Sequence, residues 1–224
     1  MLKSLHIKNT SDGSHTLYVP ELDETYHSIH GAVQEAKHVF INNGLEYFKG
    51  LKKFSVFEVG FGTGLNTILT KLYAEKNQVE INYHTIESFP ISLEIIEKLN
   101  YAQEINGIEK EDFLKIHEIS WGENHQLSAY FKLTKVHDRI QGYETDRKFD
   151  VIFYDAFGPR AQKEMWEKSI FEKMFSLLNS DGILVTYCAK GQVKRNLKEV
   201  GFVVETLPGP PGKREMTRAI KEQL

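Results

Sequence analysis

The 224-residue sequence predicts a doubly wound α/β fold, a mostly parallel seven-stranded sheet preceded by an N-terminal β-hairpin and helix extension. Three observations predict it. From residue 54 onward, apolar strand patterns alternate with amphipathic stretches; the first of those strands runs into a glycine-rich turn; and 41% hydrophobic content fills one continuous core without disulfides or metals.

The elements are taken in chain order. Residues 5–19 place Ser11-Asp12-Gly13-Ser14 between two short alternating runs, which is hairpin chemistry. Residues 31–41 put Ala32, Ala36, Val39 and Phe40 on one helical face, with Asn42-Asn43-Gly44 as the stop. Strands are expected at 54–59, 80–86, 129–136, 149–155, 183–188 and 202–206, and helices at 64–76, 90–99, 163–178 and 190–200. Sheets of this kind bind ligands at the carboxyl ends of their strands, where the strand order reverses, so the loops after residues 59, 86, 136 and 155 are the places to look for chemistry.

Charge and cysteine content bound the setting. The single cysteine, Cys188, excludes an intramolecular disulfide and fits a reducing, cytoplasmic environment. No stretch approaches the apolar length of a membrane helix. The net charge of −3 hides a split: residues 185–224 carry eight Lys/Arg against four Glu, and the remainder 20 against 27. A polyanion would meet the C-terminal part.

The first strand of the alternating region ends in Glu58-Val-Gly60-Phe61-Gly62-Thr63-Gly64-Leu-Asn66. Glycines sit where the backbone must turn tightly and approach a ligand. A dinucleotide-binding turn would have its third glycine at position 65, which is Leu here, whereas the observed spacing resembles the first motif of Rossmann-like class I S-adenosylmethionine methyltransferases. Glu58 or neighbouring carbonyls would suit the ammonium of that cofactor. Glu87, with Ser88 beside it at the end of the second strand, is placed to accept hydrogen bonds from ribose hydroxyls, and Asp138 from the adenine amino group.

Asp155 ends a later strand in Tyr154-Asp155-Ala-Phe157-Gly-Pro159, where it can orient a nucleophile toward an activated methyl group. At this point the chain resembles the methyltransferase domain of the bifunctional enzymes that complete 5-methylaminomethyl-2-thiouridine in tRNA, and their stand-alone relatives. The resemblance is carried by Glu35-Ala-Lys-His38-Val-Phe40, the glycine loop, the Asp155 segment, Thr186-Tyr-Cys-Ala-Lys-Gly191 and Leu207-Pro-Gly-Pro-Pro-Gly-Lys213-Arg214-Glu-Met-Thr-Arg-Ala219. It implies methyl transfer from S-adenosylmethionine to the amine of 5-aminomethyl-(2-thio)uridine at the wobble position of the tRNA anticodon, with Asp155 and Phe157 at the reacting centre. The cofactor set is then Glu58, Gly60, Phe61, Gly62, Thr63, Gly64, Asn66, Glu87, Ser88, Asp138 and Asp155. Residues 1–50 form the extension and 51–224 the methyltransferase domain. Nothing in 224 residues is long enough to add the flavin-dependent domain of the bifunctional enzymes, so a separate FAD-dependent enzyme would supply the aminomethyl precursor.

Lys190, Lys194, Arg195, Lys213 and Arg214 are read as phosphate contacts, with Phe157 or Tyr26 stacking on a splayed-out base. His27, His30 and His38 match no zinc spacing, so no metal is expected. Cys188 would be needed as a nucleophile only for carbon methylation of a uridine ring. Two other functions share the pattern: a polyamine-type aminopropyltransferase, whose pocket would be acidic, and an inactive RNA-binding relative.

Overall fold

The computed structural model describes residues 4–223. Strands β1 (His6–Asn9), β2 (His15–Val19) and β3 (Glu24–Thr25) form a small antiparallel sheet. Its first turn organises the helix after it. The Asp12 carboxylate accepts from Thr10 and Ser14 and from the Gln34 amide (2.9 Å), while the Thr10 and Ser14 hydroxyls accept from the Ala32 and Val33 amides. Three of the free N–H groups at the start of helix α1 (Ala32–Ala36) are thus satisfied by a turn distant in sequence. The helix continues as a π-helical turn, Lys37–Asn42, and then a 3-10 turn, Leu45–Phe48.

The main sheet holds β4 (Lys53–Val59), β5 (Glu80–Glu87), β6 (Asn124–Ser128), β7 (Phe131–His137), β8 (Phe149–Tyr154), β9 (Leu178–Thr186), β10 (Val203–Pro208) and β11 (Glu215–Ile220), in the order β10-β11-β9-β8-β4-β5-β7-β6. It has eight strands rather than seven; β6, an antiparallel edge, and β11 both lie outside the ranges expected from the sequence. Pairs among β7, β5, β4, β8 and β9 are parallel, and β11 enters antiparallel between β9 and β10.

The helices are α2 (Leu65–Asn77), α3 (Leu93–Ile96), α4 (Tyr101–Glu104), α5 (Lys110–Glu118), α6 (Lys168–Leu177) and α7 (Gly191–Val200). The helix expected at 90–99 is cut to α3, and that expected at 163–178 divides into a 3-10 turn, Lys163–Trp166, and α6. No helix among the described residues is long and apolar enough to cross a membrane.

Each face of the sheet carries its own core, as a doubly wound arrangement requires. Phe54, Val56, Tyr83, Phe153, Ile183 and Val185 join residues of the extension, α2 and α5 on one side; Phe57, Val59, Ile152, Tyr154 and Leu184 join α6 and α7 on the other. Burying each such side chain contributes about 1.5–3 kcal/mol. The two-residue period of strands then decides where the polar residues go. Glu58 lies on the face of Phe54 and Val56, and Asp155 on the face of Val151 and Phe153, so both are aimed toward α2.

Candidate functional site

The chain leaves β4 to build β5 on one side and later β8 on the other, so the carboxyl ends of β4 and β8 flank the switch point of the sheet. A cavity of about 580 Å³ opens there. One wall is the glycine loop, Glu87 and Ser88 after β5, and Asp138 after β7; the other is Asp155 to Gly158, Tyr187, Lys213 and residues of the extension from Tyr18 to Glu35.

The loop wall depends on missing side chains. Gly60 has φ +99°, and a Cβ there would stand 2.8 Å from the Asp155 carbonyl oxygen; Gly62 has φ +48°, and its Cβ would stand 3.0 Å from the Tyr26 ring. The loop is held from behind. Glu87 accepts from the Gly62 amide (2.9 Å) and the Phe89 amide (2.8 Å), which fixes the carboxylate at the loop and leaves further lone pairs facing the cavity. Thr63 is tied through its hydroxyl to Tyr101 (3.2 Å) and through its carbonyl to the His117 ring (3.2 Å). Behind His117, the fully buried Lys135 donates to the His117 carbonyl (2.6 Å) over the Trp121 ring, and burial brings its ammonium down to about 8. None of Tyr101, His117 and Lys135 has a local sequence pattern that marks it.

The opposite wall is charged. Asp155 faces the cavity and accepts from the Asn66 amide (2.8 Å). Its depth in the fold, and secondarily the Glu35 carboxylate, push its carboxyl up to about 7. Glu35, only 6% exposed, accepts from the Ser28 amide (2.7 Å) and pairs with the Lys213 ammonium, which lies 3.8 Å from the centre of the Tyr187 ring. The Tyr187 hydroxyl donates to the Ala156 carbonyl (2.8 Å), and the Trp166 indole to that of Phe157 (2.8 Å), fixing the loop after Asp155. Phe157 meets Tyr26 edge-on at 5.0 Å. Aromatic faces thus frame a polar floor.

The expected residues divide. Gly60, Phe61, Gly62, Thr63, Asn66, Glu87, Ser88, Asp138, Asp155 and Phe157 line the cavity. Gly64 does not; it starts α2 in a left-handed conformation. Glu58 is a correction: it is fully buried on the α2 face, accepts from the Thr67 hydroxyl (3.1 Å) and does not line the cavity, because the strand period turns it away from the loop. Lys213 is a second, an ion-paired cavity residue rather than a free surface cation. Lys194 is engaged by Glu215 (2.8 Å) and Thr206 (2.8 Å).

Of the other cations, Lys190 and Arg214 line an outer cleft with Arg160 and Cys188, joined to the cavity at Tyr187 and Lys213, whereas Arg195 bonds to Gln192 outside it. Cys188 is buried, and burial raises its thiol above the ordinary range. The three histidines do not converge: His38 bonds the Pro208 carbonyl (2.8 Å), His30 packs on Gly212, and His27 lines the cavity. Among the described residues no cluster of three or more His, Cys, Asp or Glu suits a metal ion.

Glu58 supports a test of the floor beneath the loop. Burial pushes its carboxyl up to about 8 from an ordinary value of 4.5, with Asp155 nearby adding to the effect. The folded state therefore holds a proton that the unfolded chain has released, and stability falls as pH rises through that window by at most about 1.4 kcal/mol per pH unit. Glu58→Gln removes this dependence. Its melting temperature is expected to gain on the wild type by at least about 5 °C between pH 5 and 8. A constant difference in thermal melts across that range would mean that Glu58 is ionised in the fold.

Comparison with known proteins fits this geometry. The family model for S-adenosyl-L-methionine-dependent methyltransferases matches residues 100–222, the part that carries Asp155, Tyr187 and Lys213. The tRNA 5-methylaminomethyl-2-thiouridine biosynthesis bifunctional protein MnmC of Leptospira interrogans is 32% identical over 213 residues, which cover 88% of this chain. The alignment spans only 32% of that protein's length. The crystal structure of MNMC2 from Aquifex aeolicus superposes with a TM-score of 0.77 over 99% of this chain and 71% of that one, at 23% identity. Spermidine synthase from Thermotoga maritima does so with 0.54, over 98% and 72%, at 12% identity. At these identities the two structural likenesses concern the fold alone.

Proposed function

This chain belongs to the S-adenosyl-L-methionine-dependent methyltransferases, and from that premise we propose that it methylates the primary amine of 5-aminomethyl-(2-thio)uridine at the wobble position of tRNA. The observation that carries the proposal is the placement of Asp155: a carboxyl at the switch point, held by Asn66, facing a cavity with the glycine loop on one side and an aromatic frame with a Glu35–Lys213 pair on the other.

The residues present fit S-adenosylmethionine. The close approach of Gly60 and Gly62 to their neighbours leaves a cradle that a Cβ would fill, and Glu87 and Asp138 offer acceptors along the same wall. When bound, the cofactor supplies a methyl group already activated as a sulfonium. The protein then has to bring a free amine to it. Asp155 accepts a hydrogen bond from the amine and aims its lone pair; Phe157 and Tyr26 flank the uracil ring; and the loop fixed by Tyr187 and Trp166 keeps these parts in register. With the cofactor held by the glycine loop and Glu87 and supplying the methyl group, Asp155 would keep the amine nitrogen aimed at it, and the product would leave as a secondary ammonium.

In this reading the division at residue 50 is functional: residues 51–224 form the cofactor-binding domain, and the extension formed by residues 1–50 closes the acceptor side with Tyr26, His27 and Glu35. Lys190 and Arg214 in the outer cleft track phosphates beside the flipped nucleotide. The setting is cytoplasmic, and a separate flavin-dependent enzyme supplies the aminomethyl precursor. The alignment covers about a third of the Leptospira relative, whose name places it in tRNA thiouridine biosynthesis and so supports the substrate class. The test is mass spectrometry of nucleosides from aminomethyl-bearing tRNA incubated with protein and cofactor. One added methyl on the 5-aminomethyl nucleoside is expected; methylation elsewhere on the tRNA, or aminopropyl transfer from decarboxylated cofactor, would overturn the reading.

A further inference from the structure

An amine methyltransferase faces a protonation problem that the pocket itself addresses. A primary alkyl amine is ordinarily an ammonium at neutral pH, with a value near ~10 for lysine, and an ammonium has no lone pair to attack with. A carboxylate within about 4–6 Å makes this worse, because opposite charge favours the charged form. Two carboxyl groups, Asp155 and Glu35, belong to the acceptor wall and influence one another.

Lys213 changes that balance. The turn between β10 and β11 delivers its ammonium into contact with Glu35 and over the Tyr187 ring, on the cavity wall shared with Asp155. Of the other titratable groups, His27 and Tyr26 from the extension and Tyr187 after β9 line the same space, Cys188 borders the outer cleft, and Lys8, Tyr18, Asp23, Glu24, Glu87, Asp138 and Glu164 line the rest of the cavity. Burial holds the His27 imidazole at about 4 and raises Tyr26, Tyr187 and Cys188, so all four are neutral near pH 7. The charges that act on Asp155, and so on an amine held against it, are those of Glu35 and Lys213.

We propose that Lys213 is a specificity-determining residue for the acceptor: paired with Glu35 beside Asp155, it cancels one carboxylate, repels a second ammonium and so selects the amine as the free base. This rests on the amine-methylation reading. The proton is lost from the substrate ammonium to water or to Asp155 before attack, so the transfer itself needs no further base. The product, again an ammonium, meets the same repulsion, which favours its departure. A neighbouring cation used to hold an amine neutral is a known device of lysine nucleophiles, applied here to a substrate.

The experiment compares wild type, Lys213→Met, Lys213→Arg and the double variant Glu35→Gln/Lys213→Met, all loaded with S-adenosylmethionine, on tRNA with and without the aminomethyl group. Single-turnover rates are measured from pH 6 to 9.5, and tRNA affinity is measured in parallel without turnover. Lys213→Met is expected to lose roughly 10- to 100-fold at pH 7 and to recover most of it by pH 9.5, its acid limb moving up by about one pH unit or more. Its affinity for amine-bearing tRNA should hold or tighten relative to tRNA lacking the amine. Lys213→Arg should stay within a few fold, and the double variant should regain much of the loss because both charges are gone. A Lys213→Met loss of equal size at every pH, or an equal loss of affinity for both tRNAs, would overturn the proposal and make Lys213 a phosphate contact. Wild type that binds cofactor but never methylates amine-bearing tRNA would instead sink the amine-methylation reading beneath it.

Discussion

Asp155→Ala is expected to lower the single-turnover rate of methyl transfer by at least about 100-fold while leaving the affinity for S-adenosylmethionine within a few fold. Its side chain meets the cavity on the acceptor side and hydrogen-bonds the glycine-loop wall through Asn66, while its backbone contacts to Val59 and Gly60 survive the substitution, so its loss mainly removes the amine's orienting partner. The pH dependence has a definite sign. Burial raises the Asp155 carboxyl to about 7, so the charged acceptor form is lost as pH falls through that value, and wild-type rates should decline below pH 7. Asp155→Asn should be slow at every pH without that limb. Cys188→Ser is expected to be tolerated, since the thiol is buried, raised above its ordinary range and outside the main cavity. Full activity in Asp155→Ala, or a folded but inactive Cys188→Ser, would favour carbon methylation through a cysteine nucleophile.

Gly62→Val is expected to reduce cofactor affinity by more than about 100-fold, measured by isothermal titration, in a protein that still folds. Two costs combine at this position: a backbone with φ +48°, which β-branched residues strongly resist, and a Cβ only 3.0 Å from the Tyr26 ring. Relief by either route moves something the cofactor needs. If the loop shifts, the Gly62 amide leaves Glu87; if Tyr26 swings out, it leaves Phe157. Unchanged affinity in the folded variant would show that the cofactor lies elsewhere.

The glycine-loop wall is legible in the sequence because its information is local. Glycine spacing, a strand before and a helix after define the loop between β4 and α2, and Glu87 comes at the tip of the next strand. The acceptor wall has such a code only in the segment of Asp155 and Phe157. Lys213 and Glu35 lie 178 residues apart, so only the folded chain shows that a lysine in a basic segment points inward to a carboxylate.

Glu58 departs from its expected role for a related reason: belonging to the motif suggests contact with the ligand, whereas the period of β4 points it at Thr67. Among the elements, β6 and α5 give little sequence signal for want of apolar residues. β6 is a polar edge strand, Asn-His-Gln-Leu-Ser, and α5 buries only Phe113 and Ile116. The central strands β4, β5 and β8, buried on both faces, leave no such ambiguity.

The turn that carries Lys213 also matters for the order in which the enzyme is made. It packs Gly212 against His30, offers the Pro208 carbonyl to His38 and lays Lys213 on Glu35, so the last wall of the cavity is threaded back onto the first helix of the chain. On the ribosome, the glycine loop, Glu87 and Asp155 all emerge before this turn exists. Closing the acceptor side of the cavity therefore depends on a hairpin that follows the glycine loop, Glu87 and Asp155 in the chain.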